Sequence, residues 1–475
     1  MNLPFFKTPS LPVIIFCCAA TFAQTEIKNK IVDFTTYLPI ESASIYVQNT
    51  TIGTVSNTDG RFVLSVPRRY ANDTLVISSI GYKSFKTPIA NFDGSAEIFL
   101  EEDIASLDEV VLIAETRPKT GNDIVLRALK ELPGNMPAQP YLQKGFLRHK
   151  ERNKKEYKWL IESALTVYDS SYATAVGDNL KINVDENRKS YDLRDVDSLF
   201  AYYSYLKNTS NKLGLKSKKL KRSTIKTTSL VKAIKWNDGR VNGLGNLFQG
   251  KLNIVRNATV RNALFGDKVL DKHQFTLDTV LVDDGRKLYK IKISEGKDFV
   301  GLSTKNIYNE GFHPNGWIYI YWDNYAVKKI EYELVAASDI QKRRSKSLFD
   351  TQTNHKLTIS YLEYEDKMYP NYMYYETPKL INVGNRSSDK KEGAEEALKK
   401  KDEQFYFTVQ EILFTEIIHD PGAITKALQQ TWSDDIFKVR PYNKGFWKNY
   451  NILLESEEEE KLINDLSTRA SLFKQ

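Results

Sequence analysis

A short stretch near the N-terminus, residues 57–67, constrains the fold more than any other part of the chain. It opens on an Asp-Gly turn, where Gly60 can take the positive φ that side chains with a Cβ avoid. Apolar residues then recur at every second position, which is the period of a half-buried β-strand. Pro67 ends the run because proline has no N–H to donate to a neighbouring strand. The apolar positions are Phe62, Leu64 and Val66.

Further short β-rich segments lie on either side of this stretch, about ten residues apart, between residues 28 and 113. The segment at 74–80 closes on a second turn at Gly81, and the last segment of the series is residues 107–113. Short strands at this spacing, separated by turn residues, indicate an antiparallel sandwich. The chain has 475 residues, so two or three domains are expected in total.

The ordered motifs of this region resemble a known family. They are residues 31–33, 44–47, 53–55, 58–62, 75–82 and 107–111. Over residues 26–113 they are similar to the carboxypeptidase-regulatory-like domain of Bacteroidota envelope proteins. That resemblance implies a seven-stranded, transthyretin-like sandwich and an exported protein of a Gram-negative bacterium, in the periplasm or at the outer membrane. It does not imply peptidase activity, because the zinc chemistry of metallocarboxypeptidases lies on another domain.

Residues 1–23 are predicted to be a secretory signal. Lys7 precedes a short apolar core, and small residues stand near position 23 for cleavage. Both cysteines of the chain, Cys17 and Cys18, fall inside this segment. The mature chain would therefore have no disulfide, no thiolate nucleophile and no Cys-bound metal. No later stretch is apolar for long enough to predict a membrane span in the mature chain.

Five segments follow from these patterns. They are the signal at 1–23, the sandwich at 24–114, a linker with an amphipathic helix at 115–139, a large antiparallel β-rich domain at 140–440, and a C-terminal segment with a helix at 441–475. The linker helix is expected to stop at Pro133-Gly134. In the large domain, Pro370 is expected just outside a strand.

The predicted fold class is mainly β with α+β character: a sandwich, then a large antiparallel sheet that could curve into a half-barrel around packed helices. Such a cup is the architecture of lipoprotein carriers. More weakly, the large domain resembles the uncharacterised partner domain that often follows the sandwich in Bacteroidota proteins. The motifs that carry this second resemblance are residues 316–320, 325–327 and 446–451.

The formal net charge is +8, and much of the excess is local. Between Lys207 and Lys235 ten basic residues occur with almost no acidic ones. Anionic lipid headgroups or polysaccharide are the partners that such a segment suggests in an exported protein, and nucleic acid is not expected. The alternative is a solvated loop that happens to be basic.

No catalytic, metal or cofactor motif is predicted. The five histidines are scattered singly, without a His-Glu-x-x-His pattern. Residues 245–252 have P-loop spacing, but Leu252 stands where a hydroxyl must hold magnesium. Acidic pairs such as Asp195 with Asp197, or Asp283 with Asp284, are better explained as turn residues than as glycosidase carboxylates.

The remaining signal is aromatic. Trp317, Tyr319 and Tyr321 occupy alternate positions of one strand, where they could stack on sugar rings or form an apolar cup. They could equally face their own core. We therefore expect a non-catalytic envelope binding or scaffold protein with a protein or glycan partner. There are two alternatives. One is a lipid or lipoprotein carrier, which an enclosed apolar cavity would favour. The other is a hydrolase with an unrecognised carboxylate site, which convergent carboxylates with raised pKa would favour.

Overall fold

The computed structural model describes most of the chain after residue 23. The described ranges are 24–103, 117–152, 157–190, 225–242, 244–250, 252–258, 263–301, 311–339, 354–382, 403–438, 440–448 and 450–457, with single residues 202, 205, 206, 209, 342, 343, 346, 460 and 466. Several predicted features lie outside them: the signal, the strand at 107–113, most of the basic segment, Asp195 with Asp197, and most of the C-terminal helix.

Residues 24–100 fold as a β-sandwich. Its strands are β1 Gln24–Asp33, β2 Ser44–Val47, β3 Gly53–Val55, β4 Arg61–Pro67, β5 Thr74–Ser78, β6 Phe85–Pro88 and β7 Ile98–Leu100. One sheet has the order β4-β1-β7 and the other β3-β2-β5-β6. The prediction of an antiparallel sandwich fails for one pair, because β7 runs parallel to β1. The chain passes from one sheet to the other before β7, so no hairpin dictates its direction.

The Asp-Gly turn and the strand after it are as predicted. Gly60 has φ +74°, and a Cβ there would lie 2.3 Å from the carbonyl oxygen of Ile31. Strand β4 then alternates between buried and half-buried residues and ends at Pro67. Its buried side chains, with those of β1, β2 and β5, form the core between the two sheets.

A helix, α1 Gly121–Asn135, follows the sandwich. Thr120 caps it, since its hydroxyl oxygen accepts a hydrogen bond of 3.1 Å from the N–H of Asp123. The predicted stop at Pro133-Gly134 is slightly early, because the helix includes both residues in its last turn and ends at Asn135. Proline can take helical φ, and at this position it removes a single backbone hydrogen bond.

A ten-stranded sheet forms the centre of the large domain. Its strands are β8 Tyr141–Arg152, β9 Tyr157–Asp169, β10 Leu180–Lys189, β11 His273–Asp283, β12 Arg286–Glu295, β13 Phe312–Tyr321, β14 Val327–Ala336, β15 Asn354–Tyr364, β16 Lys367–Asn382 and β17 Glu403–Ile418. The order is β10-β9-β8-β17-β16-β15-β14-β13-β12-β11, with all neighbours antiparallel. In the described residues the sheet is open, since β10 and β11 are its two edges. The fold is therefore mostly β, as predicted.

Pro370 lies inside β16, so the prediction that it stands outside the strand is wrong. It pairs with Tyr361 directly after a register shift in β15. A bulge of this kind disrupts the hydrogen-bond ladder locally, and a proline without an N–H is tolerated there.

The two faces of the ten-stranded sheet have different environments. The inner face, which on β14 carries Ile330, Tyr332 and Leu334, packs into one large core with α1 and with apolar residues of 244–248, 252–258 and 264–265. The outer face carries Lys329, Glu331 and Glu333 on the same strand, all half-buried. The other α-helices of the described residues are α2 Val176–Asn179, α3 Thr227–Asn242, α4 Leu244–Phe248, α5 Val269–Lys272, α6 Pro421–Leu428 and α7 Lys444–Lys448. Within the described ranges, no helix is long and apolar enough to cross a bilayer.

Candidate functional site

The outer face of the sheet presents parallel rows of polar and aromatic side chains. Because neighbouring strands are in fixed register, residues directly opposite one another form lines that cross the strands. The tryptophan row consists of Trp317, Glu331, Thr358, Tyr374, Glu411 and Arg148. The lysine row beside it consists of Asn315, Glu333, Lys356, Glu376, Val409 and Lys150. On the other side, Tyr319, Lys329, Ser360, Tyr372, Leu413 and Phe146 form a third row.

The sandwich lies against this outer face. At one side of the contact, the N–H of Gly81 donates to the carbonyl oxygen of Val282 at 2.8 Å. There the hydroxyl of Ser78 also donates to the Asp283 carboxylate at 3.0 Å. At the other side, Val55 packs into an apolar cluster with residues of the third row. The sandwich is therefore held to the sheet at two separated places.

Asp283 is the buried anchor of that first contact. Burial alone would raise the pKa of its carboxyl, but Lys328 and the hydroxyls of Tyr321 and Ser78 outweigh burial and lower the pKa. The Lys328 ammonium lies 3.4 Å from the carboxylate, and the Tyr321 hydroxyl donates to it at 2.6 Å. Asp283, the first residue of the acidic pair noted in the sequence, thus forms a structural ion pair with Lys328. The second residue, Asp284, pairs with Lys86 on the sandwich at 2.7 Å.

Residues 450–457 close a third side of the space between the sandwich and the sheet, and we call them the C-terminal segment from here on. The N–H of Ser65 on the sandwich donates to the side chain of Asn451 at 2.9 Å. On the sheet, the Arg148 guanidinium donates to the carbonyl oxygen of Leu453 at 2.7 Å. This segment therefore bridges the sandwich and the sheet.

These three parts enclose a cleft of about 950 Å³. We call the sandwich residues that face it the roof: Glu41, Ser42, Val55, Ser56, Asn57 and Thr58. Much of the tryptophan and lysine rows forms its floor, and Leu453, Leu454 and Ser456 form a side wall. The volume is at the upper end of the range of about 300–1,000 Å³ that is typical of ligand sites.

Charges in the cleft are nearly balanced. Five carboxylates line it (Glu41, Glu331, Glu333, Glu376 and Glu411), and four cations line it (Lys150, Arg152, Lys329 and Lys356). On the floor they alternate in sign and form ion pairs. The ammonium of Lys329 lies 2.6 Å from the Glu331 carboxylate, and that of Lys150 lies 3.0 Å from Glu411.

Two of these carboxylates have pKa values shifted in opposite directions. Loss of water contact raises the pKa of Glu41, and the negative charges of Glu411 and Glu331 add to the rise while Lys329 opposes it. Burial would also raise the pKa of Glu411, but Lys150 and Arg148 outweigh it and bring the pKa below the ordinary value. The roof therefore places the carboxyl that is more easily protonated opposite one that stays ionised.

The three aromatics predicted as a site have different environments. Trp317 is half-buried and lines the cleft, with the ammonium groups of Lys290 and Lys292 at 4.2 and 4.6 Å from its ring centre. Tyr319 is 8% exposed and donates a hydrogen bond to Glu331. Tyr321 is 4% exposed, under the sandwich at Asp283. Only Trp317 of the three is among the residues that line the cleft.

Of the tyrosines on strand β16, Tyr372 and Tyr374 line the cleft. Tyr375 belongs to the inner core, and Tyr369 packs edge-on against Tyr141. Sequence reasoning missed Glu41, Lys150 and Glu411 altogether. The one available signal was the alternation of Lys329, Glu331 and Glu333 along β14, which marks a polar face but not what lies over it.

The inner face offers much less space. Between the sheet and the chain packed on it, a cavity of about 20 Å³ is lined mainly by apolar side chains, with Asp169 and Arg256 among the polar ones. That volume accommodates about one water molecule. Among the described residues, no group of three or more His, Cys, Asp or Glu side chains is arranged to hold a metal ion.

Comparison with known proteins identifies one part of the chain. Residues 27–112 match the family described as the CarboxypepD_reg-like domain. The TonB-dependent receptor SusC of Bacteroides thetaiotaomicron is 37% identical over 99 residues, which are 21% of this chain and 9% of the receptor. This chain thus spans less than a tenth of that relative's length.

Two solved structures align with about two thirds of the chain at low scores. One is a LolA superfamily protein of Nitrosomonas europaea, with a TM-score of 0.21 and 10% identity. The other is a domain of Vibrio parahaemolyticus described as an outer-membrane lipoprotein-sorting protein, with a TM-score of 0.20 and 9% identity. They cover 65% and 64% of this chain and 97% of each structure. Scores this low do not establish a shared fold.

The family match at 27–112 overlaps nearly all of the sandwich at 24–100, with Gly60 and Gly81 at the turns that the motifs predict. The N-terminal sandwich of this chain is therefore a CarboxypepD_reg-like domain.

Proposed function

We propose that this chain is an exported cell-envelope binding protein that holds a hydrophilic ligand in the cleft between its sandwich and the outer face of its sheet. The observation that carries the proposal is the cleft itself. It has the volume of a ligand site, it lies at a domain interface, and side chains from the roof, the floor and the C-terminal segment converge on it.

The construction of the cleft supports binding. Its floor is the middle of a sheet whose strands β14 to β17 are paired on both sides, so the floor side chains project from a fixed backbone. Its roof is anchored through Ser78 and through Asn57. A site preorganised in this way loses little conformational entropy when a ligand enters.

The lining favours a hydrophilic ligand over an acyl chain. Carboxylates, ammonium groups and hydroxyls face the cleft, and they would lose hydration without replacement if a hydrocarbon entered. The inner face, where a lipid carrier would need its apolar cup, packs against α1 and against apolar residues of 244–248, 252–258 and 264–265. The cavity of about 20 Å³ there is far smaller than an acyl chain. The carrier alternative thus has less support than binding in the cleft.

The envelope setting rests on the sequence and on the domain match. The predicted signal at residues 1–23 supports export. The receptor that contains the related domain belongs to Bacteroides, which supports a Gram-negative envelope. In such a protein we expect the basic residues between Lys207 and Lys235 to contact lipid headgroups or polysaccharide rather than nucleic acid.

One observation favours hydrolysis as a second candidate function. A carboxyl with a raised pKa and another with a lowered pKa can divide the roles of general acid and charged partner, and Glu41 and Glu411 show that division. We rank hydrolysis second because the Glu411 carboxylate already pairs with Lys150 and accepts a hydrogen bond from the Tyr372 hydroxyl. If it is right, Glu41→Gln abolishes release of cleavage products from the ligand and leaves a binding signal.

Native mass spectrometry of the mature protein, purified gently from its own envelope, tests the proposal. We expect a bound mass that passes into the aqueous phase on denaturation, with no acyl species in the organic extract. A phospholipid or acylated species at near-unit stoichiometry would establish the carrier alternative. A protein recovered empty, which also gains no mass from the water-soluble fraction of the envelope, would contradict binding.

A further inference from the structure

The side chains of the cleft define the ligand class more narrowly than hydrophilic. Resting on the proposed function, we infer that the cleft binds an uncharged oligosaccharide, held between the aromatic rings of the floor and Glu41 of the roof. Three features carry the inference: the balance of charge, the placement of aromatic rings, and the absence of a free strand edge in the floor.

Charge balance argues against a polyion. Along the lysine row, Glu333, Lys356 and Glu376 stand on successive strands, so a chain of like charges would meet a repelling group at every second strand. Four of the floor charges already form ion pairs, Lys329 with Glu331 at 2.6 Å and Lys150 with Glu411 at 3.0 Å. An uncharged ligand leaves these pairs intact and still finds acceptors and donors beside them.

Aromatic rings lie at intervals along the floor. Trp317 and Tyr374 belong to one row and are three strands apart, which corresponds to about 14 Å at the usual spacing of strands. Between them stand Glu331 and Thr358, whose oxygens can accept hydrogen bonds from hydroxyls. Flat rings separated by hydrogen-bonding groups suit a chain of sugar rings, which has apolar ring faces and hydroxyl edges.

An extended peptide fits less well. Peptides bind a sheet most strongly by adding a strand to an open edge, where backbone groups are free. The floor strands β14 to β17 have neighbours on both sides, so their backbone groups are already used. Recognition in this cleft must come from side chains, and these offer carboxylates, ammonium groups and hydroxyls in preference to apolar pockets.

The roof completes the site. Glu41 lines the cleft, and the floor charges that act on its carboxyl are those of Lys329, Glu411 and Glu331. A sugar hydroxyl that donates to Glu41 compensates the carboxylate for the water contact it has lost. We therefore expect Glu41 and Trp317 to contact the same ligand from opposite sides.

Titration calorimetry with the full mature chain tests this inference. The probes are tetrasaccharides of one size: cellotetraose, maltotetraose, mannotetraose and laminaritetraose as uncharged chains, tetragalacturonate as an anion, and tetrameric chitosan as a cation. A hexapeptide of alternating glycine and serine tests whether the cleft binds an extended peptide instead. We expect at least one uncharged tetrasaccharide to bind, and the charged ones and the peptide to bind at least about tenfold more weakly.

Variants place the binding in the cleft. Trp317→Ala is expected to weaken it by about tenfold or more, and Glu41→Gln by about fivefold. Phe34→Ala is the matched control, because Phe34 is an aromatic residue that is 54% exposed on the sandwich and does not line the cleft. The affinity of the Phe34→Ala variant for the saccharide should equal that of the parent protein.

Three results would overturn the inference: tighter binding of a charged tetrasaccharide or of the peptide, no binding of any uncharged tetrasaccharide at millimolar concentration, or saccharide binding that Trp317→Ala and Glu41→Gln leave unchanged. These outcomes are separate from failure of the proposed function. Acyl lipid bound to the native protein would contradict both the proposed function and the inference. A bound hydrophilic molecule that is not a saccharide would contradict the inference alone.

Discussion

The side chain of Asn57 on the sandwich donates a hydrogen bond of 2.9 Å to the carbonyl oxygen of Glu455, a residue 398 positions later in the chain. The same side chain organises its own turn, since its oxygen accepts from the N–H groups of Asp59 and Arg61 at 3.0 and 2.9 Å. Asn57 also belongs to the roof of the cleft. One residue thus connects the turn that defines the sandwich, the C-terminal segment and the candidate site.

Two substitutions of Asn57 separate these roles. Asn57→Asp keeps the oxygen that the turn needs and loses the donor to Glu455, so we expect the free energy of unfolding to fall by about 1 kcal/mol. Asn57→Ala loses both functions and should cost about 2–3 kcal/mol. Hydrogen exchange gives the sharper test: both variants should exchange faster at residues 450–457, and only Asn57→Ala at residues 59–61. Equal protection of 450–457 in all three proteins would contradict the role of Asn57 as a link.

The buried pair of Arg148 and Glu162 predicts strong coupling. Arg148 Nε lies 3.0 Å from Glu162 Oε1, and both side chains are at most 2% exposed. Arg148→Met removes one of the two described cations that pair with Glu162, leaving Arg188, and should cost about 3–5 kcal/mol because a buried charge loses part of its compensation. The double variant with Glu162→Met should lose less than the sum of the two single changes. Additive losses in urea denaturation would show that the pair is not coupled.

Gly316 predicts a backbone constraint under the cleft floor. It has φ +140°, and a Cβ there would lie 2.0 Å from the carbonyl oxygen of Glu331. Gly316→Ala should force β13 away from β14 and cost about 3 kcal/mol. Gly134→Ala is the control, since nothing lies within 4 Å of a Cβ at that position and its effect should stay within about 1 kcal/mol. Equal stability of the two variants, measured by thermal unfolding, would refute the constraint.

Two buried histidines predict how stability depends on pH. Burial lowers the pKa of His273 and of His355 to about 4 from an ordinary value of 6.5. Between pH 6.5 and 4 the unfolded chain therefore binds more protons than the folded one. The free energy of unfolding then falls as the pH drops through this window, by about 3 kcal/mol for each histidine.

His355→Phe isolates that contribution. The variant loses the contact of His355 with the Thr377 hydroxyl, so it should be less stable at pH 7. Its stability should nevertheless fall less steeply than that of the parent between pH 6.5 and 4, because one of the two groups no longer titrates. Parallel curves of unfolding free energy against pH would show that His355 does not contribute in this way.

How much of the fold the sequence predicts depends on how local each feature is. The strand after Gly60 is set by a turn and an alternation within eleven residues, and both are as predicted. The alternation of Trp317, Tyr319 and Tyr321 is also real, but the register shift between Tyr319 and Ile320 changes what the end of the strand faces. An irregularity of this kind depends on the partner strand and leaves no mark in the pattern.

The candidate site is harder to predict because it depends on contacts between distant parts of the chain. Strand β17 pairs with β8, and this brings Glu411 opposite Arg148 and beside Lys150. The roof is more distant still, since Glu41 faces residues such as Lys329 only because the sandwich lies on the sheet. Periodicity identifies a polar face on each strand. It does not identify which polar faces meet.

Carboxyl footprinting tests the central claim, binding in the cleft, most directly. The mature protein is labelled with a water-soluble carbodiimide and glycine ethyl ester, with and without the water-soluble fraction of its own envelope, and each site is quantified by mass spectrometry. Labelling of Glu41, Glu333 and Glu376 should fall when that fraction is present. Labelling of Glu295 and Glu365, both 63% exposed and away from the cleft, should stay the same. Unchanged labelling of the three cleft residues, or protection confined to the two controls, would contradict the account.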